Sequence, residues 1–302
     1  MPYRPNARPT TQSASTPGRR GRRAGIGVAL LTGSLTTLLA IASVAPAAAA
    51  ASGTSESSGT GTGTTPVTAR SEARVTTAVL DLDHPTGKPQ VRGKDVPYDT
   101  ASIIKVDILA TLLLQAQDAG HGLTQQERTE AEAMIERSDN DAATALWRRI
   151  GLAPGLEAAN KRLGLSSTVG GAGGMWGLTR TTASDQIRLL SAVFADGGTS
   201  SANGSALSTT SRNYIRTLMT RIAAGQSWGV SAASDSGWAL KNGWLQRSTT
   251  GLWDINSVGQ ITSGTHHYLV AVLSDGNASM AGGIATVEQA ARTAVTSARA
   301  AN

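Results

Sequence analysis

The chain has 302 residues, 40% of them hydrophobic and only 16% charged, with 34 glycines, 10 prolines, one Phe and no cysteine. That composition excludes a disulfide scaffold, a thiolate metal centre and a cysteine nucleophile, and leaves one sizeable globular core as the expectation. The formal net charge of +6 arises wholly in the first fifty residues, where Arg4, Arg8, Arg19, Arg20, Arg22 and Arg23 stand without an acid, so the balanced remainder offers no electrostatic footprint for nucleic acid.

Residues 1–50 are expected to be an export signal. An arginine-bearing start precedes a mildly apolar stretch from Ala24 to Val44 and then Ala45-Pro46-Ala47-Ala48-Ala49-Ala50, small residues suited to cleavage. Gly25, Gly27, Thr32, Gly33, Ser34, Thr36 and Thr37 interrupt the apolar run, which makes it weak as a permanent span. A secreted protein with no stable membrane span after cleavage is therefore expected. The pairs Arg19-Arg20 and Arg22-Arg23 suit a twin-arginine signal without the residues that usually follow, so that route and general secretion both stay open. A lipid carried on cysteine is excluded. Residues 51–66 hold only Ser, Gly, Thr, Ala, Pro and one Glu, the composition of a flexible linker.

The folded domain is expected over residues 67–302. Val75 to Asp83 alternates β-branched and other residues and ends at His84-Pro85-Thr86-Gly87, which predicts a strand and a turn. Ser102 to Gln117 is apolar on most sides, as a central buried helix would be, with Thr100 as its N-cap and Ser102 in its first turn. Helices are also predicted over Glu127–Glu136, Asp141–Ile150 and Thr182–Phe194, and a loop over the glycine-rich Gly170–Gly177. Trp238–Leu245, Trp253–Ile261 and His267–Leu273 read as strands, and Gly282–Ala301 as a closing helix. Strand, helices, three strands, helix is an α+β order in which an antiparallel sheet collects both chain ends.

The chemistry concentrates in three short segments. Ser102-Ile103-Ile104-Lys105 places a hydroxyl and an amine on one helix face. A lysine that burial and a second cation keep neutral can take the serine proton and create a nucleophile. Ser138-Asp139-Asn140 falls between predicted helices, and Lys241-Asn242-Gly243 lies on a predicted strand. Together they resemble the S-x-x-K, S-D-N and K-T-G signatures of class A β-lactamases and penicillin-binding proteins. The resemblance spans Val75 to Ala301.

That resemblance implies a β-lactamase-like α+β fold, with an inserted helical lobe and the active site where lobe and sheet meet. It implies Ser102 as nucleophile, Lys105 as general base and Ser138 as the proton shuttle to the leaving nitrogen. Asn140, Lys241, Asn242 and Gly243 would form the substrate-binding wall, Lys241 also keeping Lys105 neutral. The backbone N–H groups of Ser102 and Trp244 would form the oxyanion hole. The implied substrate is a small β-lactam or a peptidoglycan-like amide, handled by a monomer without metal or cofactor. A binding module for cell-wall fragments or a protein partner, on the same fold but without turnover, is the alternative; both lysines and both serines being intact argues against it.

The departures from the family pattern are informative. Asn242 stands where Thr or Ser is usual, no Glu occurs between Glu157 and Glu288, and Thr144 replaces the Asn that supports the family's deacylating Glu. A shortened Gly170–Gly177 loop followed by Thr181-Thr182 takes that region's place, so an acyl-enzyme should form more readily than it hydrolyses. The short interval between Ser102 and Ser138 points to a trimmed cleft wall, open to larger substrates.

Other candidates carry bland readings. Ser138 and Asn140 can cap the following helix. His266-His267 opens a strand, so its rings should face opposite ways, while His84 and His121 stand alone near turns and Asp81 and Asp83 suit a solvated strand edge. The Gly170–Gly177 run lacks the ending of a phosphate loop. Trp147 and Trp253 suit the core, Trp238 and Trp244 flank the Lys241 strand and could shape the substrate site, and Trp176 can either line the cleft or pin its loop.

Overall fold

A computed structural model describes residues 73–84, 87–195 and 206–301. The expected export signal and linker lie outside these residues. Contacts divide the chain into a unit 1–65 and a unit 66–302; only the second, the predicted folded domain, contains described residues.

Its sheet is antiparallel and ordered β2-β1-β7-β6-β5. The strands are β1 (Arg74–Asp81), β2 (Gln90–Arg92), β5 (Gly237–Gln246), β6 (Trp253–Ser263) and β7 (His266–Asn277). The first strand inserts beside the last, Ala78 opposite Ala271, so the sheet does join both chain ends. A small ladder of β3 (Tyr98–Asp99) with β4 (Arg180–Thr181) stands apart from it.

Strand periodicity sorts two hydrophobic cores onto the two sheet faces. On β7, Leu269, Ala271 and Leu273 join the larger core, while Tyr268, Val270 and Val272 join the smaller. The smaller core is closed by Val287, Ala291, Ala294, Val295 and Ala298 of α7 (Met280–Ala300). The larger one fills the helical lobe: α1 (Ile104–Asp118), α2 (Gln125–Glu136), α3 (Asn140–Arg149), α4 (Leu152–Leu163), α5 (Ala183–Phe194) and α6 (Thr209–Met219). In α1, twelve of fifteen residues are buried, including Lys105, Asp107 and Thr111. Its placement at the centre of the lobe follows from apolar residues on every side.

One segment departs from expectation, and one helix carries no prediction. The central helix starts with a 3₁₀ turn, Ala101–Ile103, and Thr100 is helical in backbone and caps nothing with its side chain; its buried Oγ1 has no hydrogen-bond partner among the described residues. The helix α4 follows α3 directly, through Gly151 at φ 90°. Its Gly151-Leu152-Ala153-Pro154-Gly155 start gives no helix signal, but Pro154 is tolerated there because a missing N–H is not needed in a first helical turn.

Candidate active site

Three elements converge: the 3₁₀ turn before α1, the bend between α2 and α3, and edge strand β5. Ser102 lies in the turn, partly exposed, and the residue before it, Ala101, is held at φ 46°. A non-glycine residue in that region costs about 1–3 kcal/mol and persists only where the surroundings dictate it. Here they do: Thr100 N–H donates to Thr179 O (2.9 Å), and the buried Asn256 amide donates to Asp99 O (2.9 Å) and Thr100 O (3.1 Å). Asp99 is clamped in turn by Arg180 and Arg247.

Strand β5 presses its backbone against the same turn. A Cβ on Gly243 would lie 2.7 Å from Ser102 N, 2.7 Å from Thr100 O and 2.8 Å from Ile103 N. Only glycine lets strand and turn approach this closely. The contact sets the edge-strand backbone at Gly243 beside the Ser102 N–H.

Ser138 is the hub. It is held at φ 56° between an Arg137 that caps α2 and an Asp139 whose side chain accepts from Ala142 N–H to cap α3. Lys105 Nζ donates to Ser138 O (2.7 Å), Asn140 Oδ1 (2.8 Å) and Ser138 Oγ (3.1 Å). Lys241 Nζ reaches the same Ser138 Oγ at 3.1 Å and Asn242 O at 2.9 Å. Both lysines are fully buried. As an ammonium, Lys105 finds one oxygen for each proton; as a neutral amine, it has a lone pair that can accept from the Ser138 hydroxyl.

Burial favours the neutral form. Desolvation brings the Lys105 amine down to about 7, with nearby Asp139 opposing the shift. Lys241 is pushed well below the usual lysine range, first by burial and then by the charge of Lys105. Two amines sharing one hydroxyl lose their protons as a coupled pair, and at neutral pH a base is therefore available.

Trp176, from the 3₁₀ turn Trp176–Leu178, covers this amine, its ring centre 4.9 Å from Lys105 Nζ. Its indole N–H donates to Thr144 Oγ1 (3.1 Å), and Thr144 Oγ1 donates to Asn140 O (2.8 Å). Trp147, fully buried as expected, donates to Gly173 O (2.7 Å) and so fastens the glycine-rich loop. Trp176 thus both lines the cleft and pins its loop. A loop tryptophan carries no sequence signal for this, and neither does Asn256, whose role depends on strand register.

Two expectations are corrected. Asn242 cannot serve a substrate: it is fully buried on the opposite strand face from Lys241, its amide already donating to Gln226 O and Trp228 O at 2.8 Å each. Alternation along β5 likewise carries Trp238 and Trp244 to the smaller core, where Trp244 packs against Trp228 with ring centres 6.0 Å apart. The Trp244 side chain leaves the Ser102 side of the strand open.

A model of the β-lactamase enzyme family matches residues 126–298, more than half the chain. The chain belongs to that family. The matched stretch contains Ser138, Asn140, Lys241 and Gly243, while Ser102 and Lys105 precede it. Among solved structures, the TLA-1 extended-spectrum β-lactamase is similar with a TM-score of 0.63 at 16% identity, over 74% of this chain and 93% of that one. PBP-A gives 0.62 at 20% identity over 78% and 93%, and a β-lactamase from Burkholderia vietnamiensis gives 0.62 at 20% over 77% and 94%. These likenesses confirm the α+β, β-lactamase-like fold. A protein of Mycobacterium tuberculosis named as lipoprotein LppW is 31% identical over 113 residues, 37% of this chain and 36% of that protein; the same figures hold for its Mycobacterium bovis counterpart. The chain thus matches only about a third of the length of these curated relatives.

Proposed function

We propose that the protein is an exported active-site-serine hydrolase or acyltransferase that forms an acyl-enzyme on Ser102 with a β-lactam or a peptidoglycan-type amide, and releases it slowly. The observation that carries this is the chain Lys105–Ser138–Lys241: two buried amines on either side of one hydroxyl, with Ser102 one helical turn before Lys105 in a strained turn.

In this reading neutral Lys105 receives the Ser102 proton as Oγ attacks the amide carbonyl. The oxyanion is held by the N–H groups of Ser102 and Trp244. As the tetrahedral intermediate collapses, the Ser138 hydroxyl gives its proton to the departing nitrogen and regains one from the lysine pair. Lys241 donates to a substrate carboxylate, whose arriving negative charge favours the protonated form of an amine that burial otherwise holds neutral. The Asn140 side chain holds Lys105 through its oxygen, leaving its NH₂ to donate to the acyl group.

Release by hydrolysis requires an activated water. The covering group over Lys105 is an indole rather than a carboxylate, so activating that water falls to the lysine pair, and the adduct should persist. Export rests on the arginine-rich, mildly apolar, alanine-ended start; no helix among the described residues is long and apolar enough to cross a membrane.

Labelling by a fluorescent penicillin tests the assignment. The wild type should be labelled and Ser102→Ala should not. Equal labelling of both would overturn it, and saturable muropeptide binding without any adduct would favour the binding-module alternative.

A further inference from the structure

The sheet end farthest from Ser102 holds a second cluster of chemistry. In the ladder, Lys241 is level with Val258, Ala271 and Ala78, so Asp81 lies three strands across and three residues along, roughly 17 Å away at ordinary strand spacings. Asp81 also sits on the α7 face, with Val79 and Tyr268, not the face of Lys241. It is not the solvated edge residue that the sequence suggests: it is 8% exposed. His84 and His266, distant in sequence, flank its carboxylate.

The geometry points to a divalent transition-metal site formed by Asp81, His84 and His266, with Zn²⁺ as the cation it suits. Asp81 Oδ2 is 2.9 Å from His266 Nδ1 and 3.7 Å from His84 Nδ1. One ligand atom from each of the three residues can be chosen so that all lie within 4.8 Å of one another. Ligand atoms about 2.0 Å from a tetrahedral Zn²⁺ are separated by about 3.3 Å, so the two contacts to the carboxylate bracket the required spacing. Two imidazoles and one carboxylate are a borderline donor set that favours zinc, copper or nickel over calcium or magnesium.

The surroundings suit the role. The His84 and His266 rings stack at 6.4 Å and 15°, and Tyr268 stacks on His266 at 6.0 Å and 21°. Fully buried Tyr268 lies directly opposite Asp81 in the ladder, and its hydroxyl has no hydrogen-bond partner among the described residues. The neighbouring His267 cannot join, because Asp83 accepts from both its N–H and its ring at 2.6 and 3.1 Å. His84 is exposed and His266 partly so, which leaves a path for the ion and room for a water as fourth ligand. A bound cation would take the place of the hydrogen bond between Asp81 Oδ2 and His266 Nδ1, with Nδ1 as the ligand atom.

Equilibrium dialysis of the chelator-treated full chain against Zn²⁺, with Co²⁺ absorption reporting coordination number, tests the site. We expect one Zn²⁺ per chain, a tetrahedral or five-coordinate Co²⁺ spectrum, and at least about tenfold weaker binding in His84→Ala and in His266→Ala. His121→Ala should bind as the wild type does, and penicillin labelling should be unchanged in His84→Ala. No saturable binding, or binding weakened equally by His121→Ala, would overturn the site. His84 is exposed, so its variant should still fold if His266→Ala does not.

Discussion

At the residue scale, the protein differs from a merely β-lactamase-shaped domain by two lysines that it keeps buried at a cost. A lysine whose amine falls to about 7 when folded and returns to about 10.4 when unfolded binds more protons unfolded across that window. Stability must therefore rise with pH between those values. The cost is functional, because it makes a base available near neutrality. Acylation should accordingly be slow at pH 5, rise through a midpoint near pH 7 as Lys105 loses its proton, and level off above; a labelling rate independent of pH from 5 to 9 would contradict the role given to Lys105. Trp176 is the second residue to test. Its indole covers Lys105 where water would need to approach, so Trp176→Ala should shorten the lifetime of the penicilloyl adduct several-fold. An unchanged lifetime would remove Trp176 from the explanation of slow release.

At the scale of elements, the decisive contact is that of β5 with the Ser102 turn. Gly243→Ala drives a methyl group into three backbone atoms of that turn. Overpacking of this kind costs typically about 1–3 kcal/mol, and displacing an oxyanion donor lowers turnover by about 10²–10³. Thermal melting should show the first and labelling kinetics the second; wild-type labelling in Gly243→Ala would contradict the close approach. Much at this scale was legible in sequence. The alternation of β1 and β7 and the all-round apolarity of α1 each announce an element, and Lys105, Ser138 and Lys241 meet as the motif order implies. What was not legible depends on partners distant in sequence. Asn242 reads as a substrate donor until strand alternation places it on the opposite face from Lys241. His84 reads as solitary until β1 and β7 pair. The start of α4 gives no helix signal, because Gly151, Pro154 and Gly155 are poor helix formers.

At the scale of the whole molecule, the sheet separates two sites of different character. The face toward the helical lobe carries Ser102, Lys105, Ser138 and Lys241; the face toward α7 carries Asp81, His84 and His266, at the other end of the strands. The net positive charge lies at the chain start alone, so the charge-balanced domain gains no long-range steering from a net charge, and its selectivity rests on the cleft. The central claim is that this cleft acylates on Ser102 and holds the product. Intact-mass spectrometry after timed exposure to benzylpenicillin, followed by removal of the drug, tests it most directly. We predict one added penicilloyl group on the wild type that outlasts the chase, and none on Ser102→Ala; rapid consumption of the drug without an accumulating adduct, or an adduct that survives in Ser102→Ala, would contradict it.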